Sequence, residues 1–359
     1  MTARQFAAVA VGLGLVTLSA CGSSGSTDGS GGDSKTVTLV SHNSWAASKS
    51  VIAAFEKESG YRVRVLTDGD AGQAVNKAIL TKDNPQGDVF FGVDNTLLSR
   101  ALDNGLFQPY AAKGLDRVGA QYQLDKDKHR VTPVDYGDIC VNYDKKYFAD
   151  HRLAPPASFD DLTKPAYKNL LVTENVSTSS PGLGFLLGTA AAYGDTGWQG
   201  YWKKLKDNGV KVVDDWQQAY EQEFSGSAAG RKAGGDRPLV VSYASSPPAE
   251  VVYAKPRPDT APTGVATGTC FRQIEFAGLL SNAHNPKGAK AFLDFLISRR
   301  FQEDMPLNMY VYPVVQGAPV PAEFTEYGPA AKDPATMAPA DIAANRDQWV
   351  RSWTSLVLK

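Results

Sequence analysis

The chain of 359 residues carries 37 Lys or Arg against 38 Asp or Glu, for a formal net charge of −1 at pH 7. Hydrophobic residues make up 43% and charged residues 21%, the balance of an ordinary globular protein. With the basic residues scattered, a nucleic-acid-binding surface is excluded, and the length suits two lobes with cores of their own.

The chain opens MTARQFAAVAVGLGLVTLSAC. One Arg precedes an apolar run that is too short for a bilayer span but fits the core of a signal peptide. Leu18-Ser19-Ala20-Cys21 resembles the lipobox of bacterial lipoproteins. That resemblance implies a signal peptide over residues 1–20 and acylation of Cys21, with the protein held by lipid at the outer face of the cytoplasmic membrane. Residues 21–35, rich in Gly and Ser, read as a flexible tether. Cys140 and Cys270 then remain, an even pair in an oxidising compartment. A Cys140–Cys270 disulfide is expected; two buried thiols are the alternative.

From Lys35 onward strand and helix alternate. TVTLVS reads as a strand, and SKSVIAAFEKESG as an amphipathic helix stopped by Gly60. YRVRVL alternates as a strand, AGQAVNKAILTK is helical, DVFFGV is a buried strand, and NTLLSRALDNG is a helix ending at Gly105. This order predicts an open parallel sheet with helices on both faces and ligands bound beyond the C-terminal strand ends. The segments Ser41–Trp45, Asp68–Asp70 and Asp94-Asn95 follow those ends. HRVTPVDYGDICVNYDKK is long, extended and rich in β-formers.

A second α/β stretch begins near Leu170. LLVTEN is a strand, a helix runs from Pro181 to about Tyr193, and GWQGYWKKLKDNG is another helix. VKVVDD is a strand, and PLVVSYASSPP is a strand with its exit loop. TGTCFRQIEFAGLL is again extended. NPKGAKAFLDFLISRRFQ predicts one helix returning to the first lobe, and PADIAANRDQWVRSW a final helix whose lobe the pattern leaves open. Two extended crossings between two α/β lobes describe a hinged protein. Residues 36–137 with 271–313 form lobe I, 138–270 lobe II, and 314–359 a C-terminal segment. With one Cys on each crossing, the disulfide would tie the hinge strands together.

STSSPGLG gathers more hydroxyls than a helix start needs. Pro181 suits the first turn, and Ser179 or Ser180 can cap it. The surplus donors make a place for an anion or a polar ligand group, or else are solvated neighbours of a cap. Aromatic residues fall at other predicted strand exits: His42 and Trp45, Trp216 and Tyr220, Tyr243 with Ser245 and Ser246, Tyr310 and Tyr312. Individually each fits a core. Together they favour a flat or cationic ring. Asp68 could accept from an amino group or balance a positive charge.

Catalytic patterns are missing. There is no G-x-S-x-G elbow, P-loop, H-E-x-x-H or G-x-G-x-x-G after the first strand. His42, His129, His151 and His284 lack paired metal spacing, so no metal or cofactor is expected. Asp160-Asp161 and Asp214-Asp215 read as caps and solvated charge.

The motifs DVFFGVDNTLL, PVDYGDICVNYDK, STSSPGLGFLL, DDWQQAY, VVSYASSP, NPKGAKAFLDFLISRRFQ and MYVYPV together carry a resemblance. The chain resembles, from about residue 36 to 353, the thiamine-binding, substrate-binding proteins of ABC importers, a branch of the bilobal periplasmic-binding-protein group. The resemblance implies a type II two-lobed α/β fold with the ligand cleft between the lobes. It implies a monomeric, non-enzymatic receptor that delivers thiamine or a thiamine phosphate to an ABC permease. Asp68-Gly69 looks like a ligand-contacting turn, and Ser179 and Ser180 like donors for the hydroxyethyl or phosphate end. Trp216 looks like a ring or phosphate contact, Tyr243, Ala244, Ser245 and Ser246 like the opposite wall, and Tyr310 stands where relatives carry Trp. Relatives have Tyr at His42 and at Ala249, and lack the Cys pair. The rival readings are another solute in the same fold (ferric iron, a polyamine or a phosphonate), an extracytoplasmic thiamine-processing enzyme, and a structural or adhesion lipoprotein.

Overall fold

Alternation along the first strand sets the sheet. In Thr36–Ser41, Val37 and Leu39 turn to one face and Val40 to the other, and all three are buried. The computed structural model describes residues 35–328 and 331–359; the expected signal peptide, most of the tether and Cys21 lie outside the described residues. Its strands are β1 (Thr36–Ser41), β2 (Arg62–Thr67), β3 (Val89–Asp94), β4 (Phe107–Gln108), β5 (Thr132–Asp144), β6 (Leu171–Glu174), β7 (Lys211–Val213), β8 (Leu239–Tyr243), β9 (Thr263–Leu280) and β10 (Tyr312–Pro313).

The sheet order is β2-β1-β3-β9-β5-β8-β6-β7, with β10 beside β5 and β4 beside β9. β1 is parallel to β2 and β3, and β6 is parallel to β7 and β8. The expected parallel sheet therefore holds only in the outer part of each half. In the middle, β5 and β9 run antiparallel to each other, β9 against β3 and β5 against β8. The direction changes because each half-sheet is completed by a strand arriving from the other half. Read outward to inward, the halves are β2-β1-β3-β9-β5 and β7-β6-β8-β5-β9, one plan used twice. β5 passes from β10 at Tyr136 to β8 at Ile139, and we place the lobe boundary there.

Most expected helices form. Lys49–Ser59 ends at Gly60, and Ala71–Leu80 starts at Asp70 with a reciprocal capping box to Gln73. The helix Ser180–Asp207 carries Pro181 in its first turn and bends at Gly194, which separates the two helices read from the sequence. Two readings change. ASSPP is not only an exit loop: Ser246–Val252 is helical, because Pro247 and Pro248 occupy first-turn positions that need no donor. NPKGAKAFLDFLISRRFQ is two helices, Pro286–Leu296 and Arg299–Asp304, because Ser298 turns out of the first and caps the second.

The C-terminal segment touches both lobes. The Arg272 N–H donates to the Ala335 carbonyl at 2.9 Å, and the Ala335 N–H to the Cys270 carbonyl at 2.7 Å. The helix Pro339–Trp353 packs on Leu98–Asp103 of lobe I and on Ser180–Asp207 of lobe II. Its Trp353 meets Trp202 edge to face, with ring centroids 5.4 Å apart. This helix therefore bridges the two lobes.

Cys140 and Cys270 are disulfide-bonded and join β5 to β9 at the register shift between Ile139 and Val141. The bond closes a loop of 130 residues. Changing both to Ser is expected to lower unfolding free energy by about 2–4 kcal/mol, chiefly by freeing the unfolded chain. Urea titration reads this as a lower midpoint. An unchanged midpoint would show that the cross-link adds no stability.

Candidate functional site

Between the lobes lies a cavity of about 400 Å³. Lobe I supplies His42 after β1, Asp70 at a helix start and the turn Asn308–Val311. Lobe II supplies the start of the helix at Ser180, the Trp216–Tyr220 turn, Tyr243 after β8 and the helix Ser246–Val252. Gln273 and Glu275, on β9, form the floor.

The walls are aromatic. Trp216 and Tyr220 stack with centroids 5.0 Å apart and planes 12° from parallel. The Trp216 indole N–H donates to Ser242 Oγ at 2.9 Å, which fixes its ring plane. Tyr310 has φ 56°, a left-handed conformation that costs a side-chain-bearing residue about 1–2 kcal/mol. It is held there by a stacked Phe324, at 5.9 Å between centroids, and by the Ser245 hydroxyl, which donates to the Tyr310 carbonyl. Tyr253, at the mouth, meets Tyr310 edge to face and donates from its hydroxyl to the Leu307 carbonyl of lobe I at 3.0 Å.

The charge is one-sided. Asp70, Glu221, Glu250 and Glu275 line the cavity, against His42 and no Lys or Arg among the described lining residues. His42 Nε2 lies 3.0 Å from Glu275 Oε1. The close approach is possible because β3 bulges at Gly92, whose φ of 107° and missing side chain leave room for the imidazole. Burial opposes the imidazolium, but Glu275, with Asp70 and Asp94 behind it, lifts His42 above its ordinary value. Burial, then Glu275, pushes Asp135 well above the usual carboxylate range. Burial raises Asp94, while Ser180, Thr96 and Gln273 hold it down by donating to it. Burial likewise raises Asp70, against the N–H groups of Trp216 and Ala71, which donate to it. Burial also keeps the Tyr220 and Tyr243 phenols neutral, far above their usual range.

The lobes meet directly beside the cavity. Gln73 N–H donates to the Thr178 carbonyl at 3.1 Å, and Trp216 N–H to Asp70 Oδ2 at 3.0 Å. A Cβ on Gly72 would stand 2.5 Å from the Thr178 carbonyl oxygen, so only Gly permits the approach.

Of the residues singled out from the sequence, His42, Ser180, Trp216, Tyr220, Tyr243, Ser246 and Tyr310 line this one cavity. Ser179 is buried with its hydroxyl unpaired among the described residues. Others lie behind the wall. Asp68 pairs with Lys77 on the lobe I surface, and Gly69 only turns the chain, accepting from the Asn43 N–H at 2.9 Å. Trp45 packs on the lobe I core, and Ala244 beside the disulfide. Ser245 reaches the Tyr310 backbone and not the cavity. Of the two aspartates in this turn, Asp70 and not Asp68 lines the cavity; its Asp-x-x-Gln capping-box spacing was the available signal. Glu250, Tyr253, Gln273 and Glu275 had no local signal, because a strand or helix interior does not reveal which face meets the other lobe.

A two-lobed α/β body whose lobes close on an aromatic, acidic cavity is a ligand-capturing fold of the type II periplasmic-binding class. The chain belongs to the bacterial extracellular solute-binding protein family, whose model matches residues 84–332. It is thus a solute-binding protein and not an enzyme. It is 29% identical to the thiamine-binding periplasmic protein of Escherichia coli (strain K12) over 316 residues, covering 87% of this chain and 89% of that one. It is 28% identical to the thiamine-binding periplasmic protein of Brucella suis, covering 89% and 91%. A solved periplasmic thiamin binding protein superposes with a TM-score of 0.76 at 27% identity, covering 90% of this chain and 96% of that one. The ferric binding protein from Campylobacter jejuni shares the fold at TM-score 0.71 and 18% identity, covering 89% and 99%.

Gly72→Ala should push the lobes apart at a cost of about 1–3 kcal/mol to the closed form. Small-angle scattering should report a larger radius of gyration with an unchanged thermal midpoint; no change would mean the seam does not form in solution. The His42–Glu275 pair should add stability that is complete below the ordinary histidine range and fades as pH rises through the raised His42 value. NMR titration should find that midpoint above 6.5, the unperturbed value, and Glu275→Gln should bring it down. A midpoint unmoved by Glu275→Gln would reject the pair.

Proposed function

We propose that the protein captures thiamine between its lobes and closes on it. The observation that carries this is a cavity that joins stacked aromatic walls to carboxylates and offers no Lys or Arg. Thiamine presents a flat aminopyrimidine and a thiazolium cation. Rings of Trp216, Tyr220, Tyr243 and Tyr310 can face these by stacking and cation–π attraction, and the carboxylates can balance the charge and accept from the amino group. A cation that enters also offsets the cost of burying Asp70 and Glu275. Ferric iron fits less well. Tyr312 stacks on Tyr136 away from the cavity, the cavity phenols are held neutral, and no cluster of His, Cys, Asp or Glu suited to a metal occurs among the described residues. In this reading the monomer hangs by lipidated Cys21 outside the cytoplasmic membrane and hands its cargo to an ABC permease. The relatives named as thiamine-binding support the reading.

Calorimetric titration of the folded, ligand-stripped protein should give one thiamine per chain and no heat with ferric citrate. Trp216→Ala and Tyr243→Ala should each weaken thiamine binding by roughly 10- to 100-fold, the worth of one ring contact at about 1–3 kcal/mol. No binding of thiamine or its phosphates would leave the solute-binding fold and remove thiamine as its cargo.

A further inference from the structure

Three donors that a ligand phosphate would need, on Ser180, Gln273 and the Trp216 backbone, are already turned onto the protein's own carboxylates. Ser180, at the start of the long lobe II helix, donates to Asp94 of lobe I. Gln273 Nε2 donates to the same Asp94 Oδ2 at 2.8 Å and to Ser180 Oγ at 3.0 Å. Ser179 is buried, and its hydroxyl has no hydrogen-bond partner among the described residues. The Trp216 backbone N–H donates to Asp70 Oδ2 at 3.0 Å, and its indole N–H to Ser242. His42, the one cationic side chain among the described lining residues, is held by Glu275.

Helix capping explains only half of Asp70. Its Oδ1 accepts from Ala71 N–H at 2.6 Å and serves the helix Ala71–Leu80 of its own lobe. Its Oδ2 crosses to Trp216 in lobe II. A phosphate there would displace Asp70 or sit against it, with Glu221, Glu250 and Glu275 lining the same cavity. A phosphate monoester carries close to two negative charges at pH 7, and buried like charges are strongly unfavourable.

We propose that Asp70 fills from lobe I the place where a ligand phosphate would be received, so that the protein takes the unphosphorylated cation and rejects its phosphate esters. The proposal rests on the thiamine reading for the identity of the cation. It gives Asp70 the role of a specificity-determining residue. Of the hydroxyls in STSSPGLG, Ser180 donates to a carboxylate of the opposite lobe, while Ser177 and Thr178 bond within lobe II.

The test titrates the full chain, wild type, Asp70→Ala and Asp70→Asn, with thiamine, thiamine monophosphate, thiamine diphosphate and inorganic pyrophosphate. Heat and Trp216 fluorescence are read together. The wild type should bind thiamine at least about tenfold more tightly than either ester and should not bind pyrophosphate. Asp70→Ala should shrink that ratio and admit pyrophosphate, whatever it does to thiamine affinity through the lost seam. Asp70→Asn keeps the shape and removes the charge, so a smaller ratio in both variants assigns the effect to charge. Wild-type affinity for an ester equal to or above that for thiamine overturns the proposal, as does a ratio unchanged in both variants. If no thiamine form binds the wild type, the thiamine reading fails and pyrophosphate decides the proposal separately. Binding by the variants alone sustains it; binding by the wild type, or by none of the three proteins, overturns it.

Discussion

The antiparallel pairing of β5 with β9 underlies the whole molecule. The ladder runs from Thr132 opposite Ala277 to Asp144 opposite Thr263, through both lobes. Eleven residue pairs hold the two strands together, interrupted by register shifts at Pro133/Asp135 and Ile139/Val141, the second at the disulfide. Each half-sheet grows outward from this pair by one parallel plan, and each lobe therefore moves as a body. The cleft is floored by β9 at the crossing, and the C-terminal helix packs on a helix of each lobe. The Asp138–Arg272 ion pair, the disulfide and the backbone bonds of Ala335 all fall within a few residues of the crossing.

Charge links that hinge to binding. The crossing puts Glu275 and Gln273 on the cleft floor and brings Asp94 and Asp70 of lobe I against lobe II. Closure removes water from these carboxylates, which is unfavourable unless donors or cations replace it. The donors are supplied across the seam by Ser180 and the Trp216 backbone, and from the cavity floor by Gln273. The remaining negative charge awaits a ligand. Cargo charge and lobe closure are in this way one energetic problem.

Much of this was legible before any coordinates. The period of two in TVTLVS and YRVRVL, the helix signals at Gly60 and Pro181, and the two long β-forming runs gave both lobes and both crossings. These features are local, since alternation and capping act within a few residues. The aromatic residues at strand exits were legible for the same reason, because the fold class fixes which strand ends face the ligand.

The antiparallel middle of the sheet, the lobe of the final helix and the choice of Asp70 over Asp68 were not. Each depends on chain segments far apart in sequence. Asp68 and Asp70 stand two residues apart in the same turn, yet one faces Lys77 and the other faces Trp216, 146 residues away. Local pattern and composition reach across a turn or a capping box, and that range set the elements, their order and the stock of aromatic and hydroxyl groups. Which carboxylates are buried against which donors follows from how two lobes meet, and no short-range signal carries that.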